Sequence, residues 1–271
     1  MLLPLFQWHL LAISKMYDCL ARLDFQEART HLNDVLSALP DHPEANRGLR
    51  EVEFWENTFR DIAMLDELEA AQTLWENITE FSFNNSESHL TLKRNLIREL
   101  LRLLSTNPTI YKAPELCSGY LHLLLNDFAN AEINLRLLVN HYPSNGRLRG
   151  YLADALWMQG RKENAAATYV LALLLSPQDV DVESLRCHAL VAIIETYGPH
   201  LAPVYGFLEG HLPLVEQENK PISREARIYE LLRRAEQARL LGRHQAMVDA
   251  RRELKQLSPD ILQLYLERLA M

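Results

Sequence analysis

The stretch LWMQGRKENAAATYVLALLLSP, Leu156–Pro177, decides how the chain is read. Its second half is almost entirely apolar or small, so three readings compete: a membrane anchor, one interrupted helix, or half of a repeating unit. The apolar run stops at Pro177, far short of the ~20 apolar residues that a membrane span needs. Proline ends it because the ring cannot continue the helical hydrogen-bond ladder. Gly160 tolerates the left-handed backbone that a turn requires, so two short helices should flank it.

Aligning the chain on prolines shows that the stretch repeats. Pro143 lies 34 residues before Pro177. Twelve residues before each is an alanine, Ala131 and Ala165; eight before, Leu135 and Tyr169; five before, Leu138 and Ala172. Twenty-four residues before each is a small residue, Gly119 and Ala153, and Gly160 is matched by Asn126. Small side chains at these positions allow two helices to cross closely, with Leu135 or Tyr169 filling the space beside the crossing. Pro40 gives Ala28, Leu32 and Val35 at the same offsets, and Pro259 gives Ala235, Gly242 and Leu254, with Met247 in place of alanine. A partial match runs through Ala71, Trp75 and Ile78.

This pattern resembles the tetratricopeptide repeat, a 34-residue helix–turn–helix unit. The units at about 112–145 and 146–179 carry it best, and 83–111 and 180–222 fit it poorly. The resemblance implies an all-α fold, a solenoid of antiparallel helix pairs. Two arrays are expected, 1–107 and 108–271, with an irregular insert near 198–222 and a capping helix over 259–270. Helices are predicted over 5–22, 25–39, 43–63, 66–80, 88–105, 113–126, 128–141, 146–160, 162–176, 180–197, 200–217, 223–241, 243–257 and 259–270.

Composition agrees with helices: glycine (9) and proline (12) are sparse in 271 residues. The formal net charge of −8 argues against general affinity for nucleic acid or anionic membranes. Cys19, Cys117 and Cys187 are scattered and form no CxxC, which points to a reducing, cytoplasmic setting rather than a disulfide framework. The opening MLLPLFQWHLLAISK lacks a basic leader and a small-residue cleavage site, so it reads as an amphipathic first helix.

Catalytic signatures are missing: there is no phosphate loop, nucleophile elbow, zinc-protease helix or dinucleotide fingerprint. No cofactor and no metal are expected. An alternative enzyme or metal site would use His188, Glu195, His200, Glu209 and His211 around the irregular insert. Another alternative is nucleic-acid contact through Arg233, Arg234, Arg239, Arg243, Arg251 and Arg252, although Glu230, Glu236, Asp249 and Glu253 are interleaved at salt-linking spacings.

The resemblance implies instead that the first helix of each unit lines a concave groove. By position, Tyr120 and Leu124 would lie there in one unit, and Arg147, Asp154, Trp157 and Met158 in the next. Glu236 and Arg239 would do so in the last. Leu116/Tyr120 and Gly150/Asp154 stand where chaperone adaptors of this family place carboxylate-clamping lysine and asparagine, which disfavours that role. The expected function is therefore a non-catalytic scaffold that holds a protein or peptide partner along the groove, with self-association left open.

Overall fold

The computed structural model describes residues 7–217 and 223–270. The expected first residues of the opening helix, and positions 218–222 of the insert with Pro221, lie outside the described residues. The described residues form fourteen α-helices and no strand, and the helices pack as neighbouring pairs.

The four helices that run into the aligned prolines end alike. Leu39, Tyr142, Ser176 and Ser258 each leave helical geometry with ψ between 68° and 89°. Each donates its N–H to the carbonyl four residues back, at 2.8, 2.7, 3.1 and 2.8 Å. Residues just before proline, such as Tyr142, Ser176 and Ser258, are disfavoured in the α region by the following ring, so the helix stops there. Seventeen residues before the four prolines stand Leu23, Asn126, Gly160 and Gly242, all with positive φ. In three of these turns the next N–H reaches back to the carbonyl five residues earlier: Asp24 to Cys19, Arg161 to Leu156 and Arg243 to Ala238. That is the Schellman closure of a helix C-terminus. The repeat read from the sequence is thus a repeat of backbone conformation, including Leu23, which composition does not flag as a left-handed position.

The chain divides into two compact units, Met1–Leu125 and Asn126–Met271. The division falls in the turn of the predicted 112–145 hairpin. The first unit holds α1 (Trp8–Ala21), α2 (Phe25–Ala38), α3 (Pro43–Ile62), α4 (Glu67–Glu80), α5 (Glu87–Leu104) and α6 (Ser118–Leu124). Consecutive helices pack on one another, and α5 also returns onto α1. Asn95 on α5 fixes that return by donating to the carbonyl of Ala21 at 2.7 Å. A linear array touches only its neighbours, so this unit closes on its own first helix. Met16, Ala28, Leu32, Trp55, Leu74 and Leu96 are among its fully buried side chains.

Helix α6 is shorter than the predicted 113–126. Lys112 and Leu116 exchange backbone hydrogen bonds at 2.9 and 3.0 Å around a turn through Pro114, so the helix starts only at Ser118.

The second unit holds α7 (Phe128–His141), α8 (Gly146–Met158), α9 (Lys162–Leu175), α10 (His188–Tyr197), α11 (Ala202–Leu208), α12 (Arg224–Leu240), α13 (His244–Leu257) and α14 (Pro259–Ala270). The most extensively packed hairpins of this unit are α8–α9 and α12–α13. Ala153 and Ala165 are both fully buried in the first of these, as the small-residue crossing requires. Two predicted helices are corrected. Over 180–197 the chain makes only a 3-10 turn, Val182–Ser184, before α10 begins at His188. The 200–217 helix ends at Leu208, where Gly210 (φ +84°) lets His211 and Leu212 donate back to the Gly206 carbonyl. A Cβ at Gly206 would run into Leu212, so this fold-back needs glycine there.

Candidate functional site

The face of α8 expected to line a groove is covered by the chain that follows α9. From Gly146 to Leu156 every residue of α8 except Arg147 is buried. The covering segment is Asp179–Arg186, and Arg147, Gly150 and Asp154, expected to line the groove, lie against it together with Tyr151. Arg147 Nε donates to the Asp179 carbonyl at 2.9 Å. Val180 is buried and lies against Gly150, where an added Cβ would stand 3.7 Å from it, an ordinary van der Waals contact. The next residue, Tyr151, places its hydroxyl 3.5 Å from the Asp181 carboxylate. Asp154 accepts the N–H of Arg186 at 2.8 Å.

Asp154 is therefore an interior group, 2% exposed, and not a surface contact. Its Oδ1 also accepts the hydroxyl of Tyr169 on α9 at 2.5 Å. Burial pushes the Asp154 carboxyl up to about 7, against the opposing pull of these two hydrogen bonds. The Tyr169 phenol is also raised, by burial first and by the neighbouring carboxyl second.

Helix α12 repeats the arrangement. Tyr229 is fully buried, and its hydroxyl accepts the N–H of Val215 at 2.7 Å. Gln217 donates to the Ala226 carbonyl at 3.2 Å, so the segment after Pro213 lies on the start of this helix. Farther along, Glu236 accepts both Arg239 Nε and Nη2, at 2.8 and 2.7 Å, and the hydroxyl of Tyr265 on α14 at 2.7 Å. The Arg239 guanidinium holds the Glu236 carboxyl below the usual carboxylate range. Glu236 and Arg239 are thus each other's partners.

The remaining expected contacts are more accessible. Trp157 is half-buried, with its ring 6.5 Å from that of Tyr169 and the Lys162 ammonium 5.3 Å above it. Met158 is 43% exposed at the end of the same helix. In the first unit, Tyr120 is half-buried with its ring edge-on to Trp75 at 6.3 Å, and Leu124 packs against the core.

The alternative sites fare differently. His188, Glu195, His200, Glu209 and His211 are all exposed, and no three of them converge to ligand distance. Among the described residues the group that does converge is Cys19, Glu27 and His31. Sequence reasoning passed over it, because Cys19 lies across a turn from the other two; the four-residue spacing of Glu27 and His31 on a predicted helix was the available signal. Of the arginines at the basic end, Arg233, Arg234, Arg239 and Arg252 form ion pairs with Glu230, Glu253, Glu236 and Asp249, and Arg251 lies over the Tyr265 ring. All three cysteines are free thiols and buried. Among the described residues no helix is long and apolar enough to cross a membrane.

No family model matches this chain, and no curated protein or solved structure is significantly similar to it.

Proposed function

We propose that the chain is a non-catalytic interaction scaffold of tetratricopeptide-like helix hairpins, acting in the cytoplasm on an extended segment of a protein partner. The observation that carries this reading is the way α8 holds Asp179–Arg186. Arg147 takes a backbone carbonyl and Asp154 takes a backbone N–H, and between them the buried Val180 lies against Gly150. Backbone-directed hydrogen bonds with a small pocket for one side chain are how a surface recognises extended peptide. The helix face has the chemistry of a peptide-holding groove, and here it holds a peptide of its own chain.

On this reading a partner adds at the open end of that face. Trp157 and Met158 supply an aromatic anchor and an adaptable apolar contact, and Arg147 orients the chain alongside. Glu236 and Arg239 on α12 offer further contacts within the second unit, and Tyr120 and Leu124 offer a separate contact surface on the first. Asp154 acts from inside by fixing the segment that shapes the site. The strongly perturbed pair, Asp154 and Tyr169, is buried and mutually bonded, which supports a positioning role over a catalytic one.

Pull-down from cells with wild type, Trp157→Ala/Met158→Ala and Tyr120→Ala tests this. The expected result is loss of the partners recovered with wild type while helical content is kept. Undiminished recovery by all folded variants would count against the reading.

A further inference from the structure

The turn that closes the α1–α2 hairpin brings three metal-ligating side chains together. Leu23 stands at φ +63°, and Asp24 N–H reaches the Cys19 carbonyl at 3.0 Å, which sets the start of α2 beside the end of α1. Glu27 and His31 are four residues apart on α2 and so share one face. Cys19 meets them from the last turn of α1. The thiol sulfur, an imidazole nitrogen and a carboxylate oxygen all lie within 4.8 Å of one another.

We propose that Cys19, Glu27 and His31 form a binding site for a single divalent cation of the zinc class. Thiolate, imidazole and carboxylate are the three side-chain ligands that such borderline-soft cations accept. Bonds of about 2.3 Å to sulfur and about 2.0–2.2 Å to nitrogen and oxygen set tetrahedral neighbours roughly 3.3–3.7 Å apart, so the three groups need to close by no more than about 1.5 Å. Side-chain rotation supplies that movement, because Glu27 is exposed and His31 half-exposed.

The charges also fit. A thiolate and a carboxylate together cancel a divalent cation, leaving a neutral complex at the edge of the core. Arg22 supplies the positive charge here, donating to Cys19 Sγ at 3.4 Å and lying 3.7 Å from the Glu27 carboxylate. Its side chain is 64% exposed, so it can turn into water as the ion enters. The S–H bond breaks as the sulfur–metal bond forms, and the proton goes to solvent. Three protein ligands leave the fourth position to water on the side where Glu27 is exposed.

Cobalt titration of the full chain, reduced and free of a histidine tag, tests the site. One equivalent of Co2+ should raise a thiolate-to-cobalt charge-transfer absorption that Zn2+ abolishes by displacement. Cys19→Ser should remove the band, and His31→Ala should weaken Co2+ and Zn2+ binding at least about tenfold. Cys117→Ser should leave both unchanged. Glu27→Gln and His31→Ala change side chains outside the core, so they report even if Cys19→Ser does not fold. No band at one equivalent of Co2+, or a band that persists unaltered in both His31→Ala and Glu27→Gln, would overturn the proposal.

Discussion

The hydroxyl of Tyr169 donates to Asp154 Oδ1 across 2.5 Å, and the same oxygen takes the N–H of Arg186. One buried carboxyl oxygen therefore ties α8, α9 and the returning segment together. Both side chains belong to the repeat frame, yet their meeting with Arg186 depends on residues outside it.

That arrangement predicts a pH dependence. Burial raises the Asp154 carboxyl from its ordinary 3.8 to about 7. A carboxyl whose folded value lies above its unfolded one favours the fold most when neutral. Its contribution is fully present below about pH 4 and is lost as pH rises through about 7, on the order of 1 kcal/mol per pH unit across that window. Asp154→Asn removes this dependence while keeping an oxygen acceptor. Urea unfolding at about pH 5 and about pH 8 should show the stability of Asp154→Asn rising relative to wild type at the higher pH. An unchanged difference between the two would refute the assignment.

The anchoring role of Asp154 has a local readout. Asp154→Ala leaves the Arg186 amide without its acceptor, so hydrogen exchange at Arg186 should quicken and tryptic cleavage after it should increase. Tyr169→Phe removes one of two partners from a buried carboxyl and should cost about 1–3 kcal/mol. If exchange at Arg186 is the same in Asp154→Ala as in wild type, Asp154 does not hold the segment.

Two glycines should respond differently to alanine. A Cβ at Gly146 would meet the carbonyl oxygens of Ser176 and Ala172 at 2.8 and 2.9 Å, where α9 ends against α8. A Cβ at Gly48 would meet the terminal methyl of Met16, which is flexible. Gly146→Ala is expected to cost about 1–3 kcal/mol, as overpacking against fixed neighbours does. Gly48→Ala should cost less, since Met16 can change rotamer. Chemical denaturation of the two variants gives the ranking, and the reverse order would contradict this account.

The left-handed turns give a cleaner backbone test. Gly160 and Gly242 have φ of +79° and +66°, with nothing within 4 Å of an added Cβ. Alanine at either position should therefore destabilise through conformation alone, by roughly 1 kcal/mol. Loss of secondary structure beyond that scale, or no loss at all, would show that the turn is not held as described.

The sequence by itself determined the local frame. Proline spacing, the small residues Ala153 and Ala165, and turn residues such as Gly160 and Asn126 specify where helices start, cross and stop. These are short-range effects: backbone sterics, capping and helix-period burial act within a few residues, so they can be read along the chain. That is why α7 and α14 match their predicted bounds, and why the stretch Leu156–Pro177 folds as a turn between two helices.

Only the tertiary structure decided which faces stay open. Asp154 was expected in the groove, yet it is buried, as Tyr229 is on α12, because irregular segments of the same chain lie on them. The segment Val180–Cys187 gives up helix where Asp154 takes the Arg186 N–H, an outcome fixed by a residue 32 positions away. The Cys19–Glu27–His31 group likewise exists only once a hairpin has folded. Burial and ligand geometry depend on what long-range contacts bring alongside, and a periodic pattern carries no record of a neighbour that lies outside its own period.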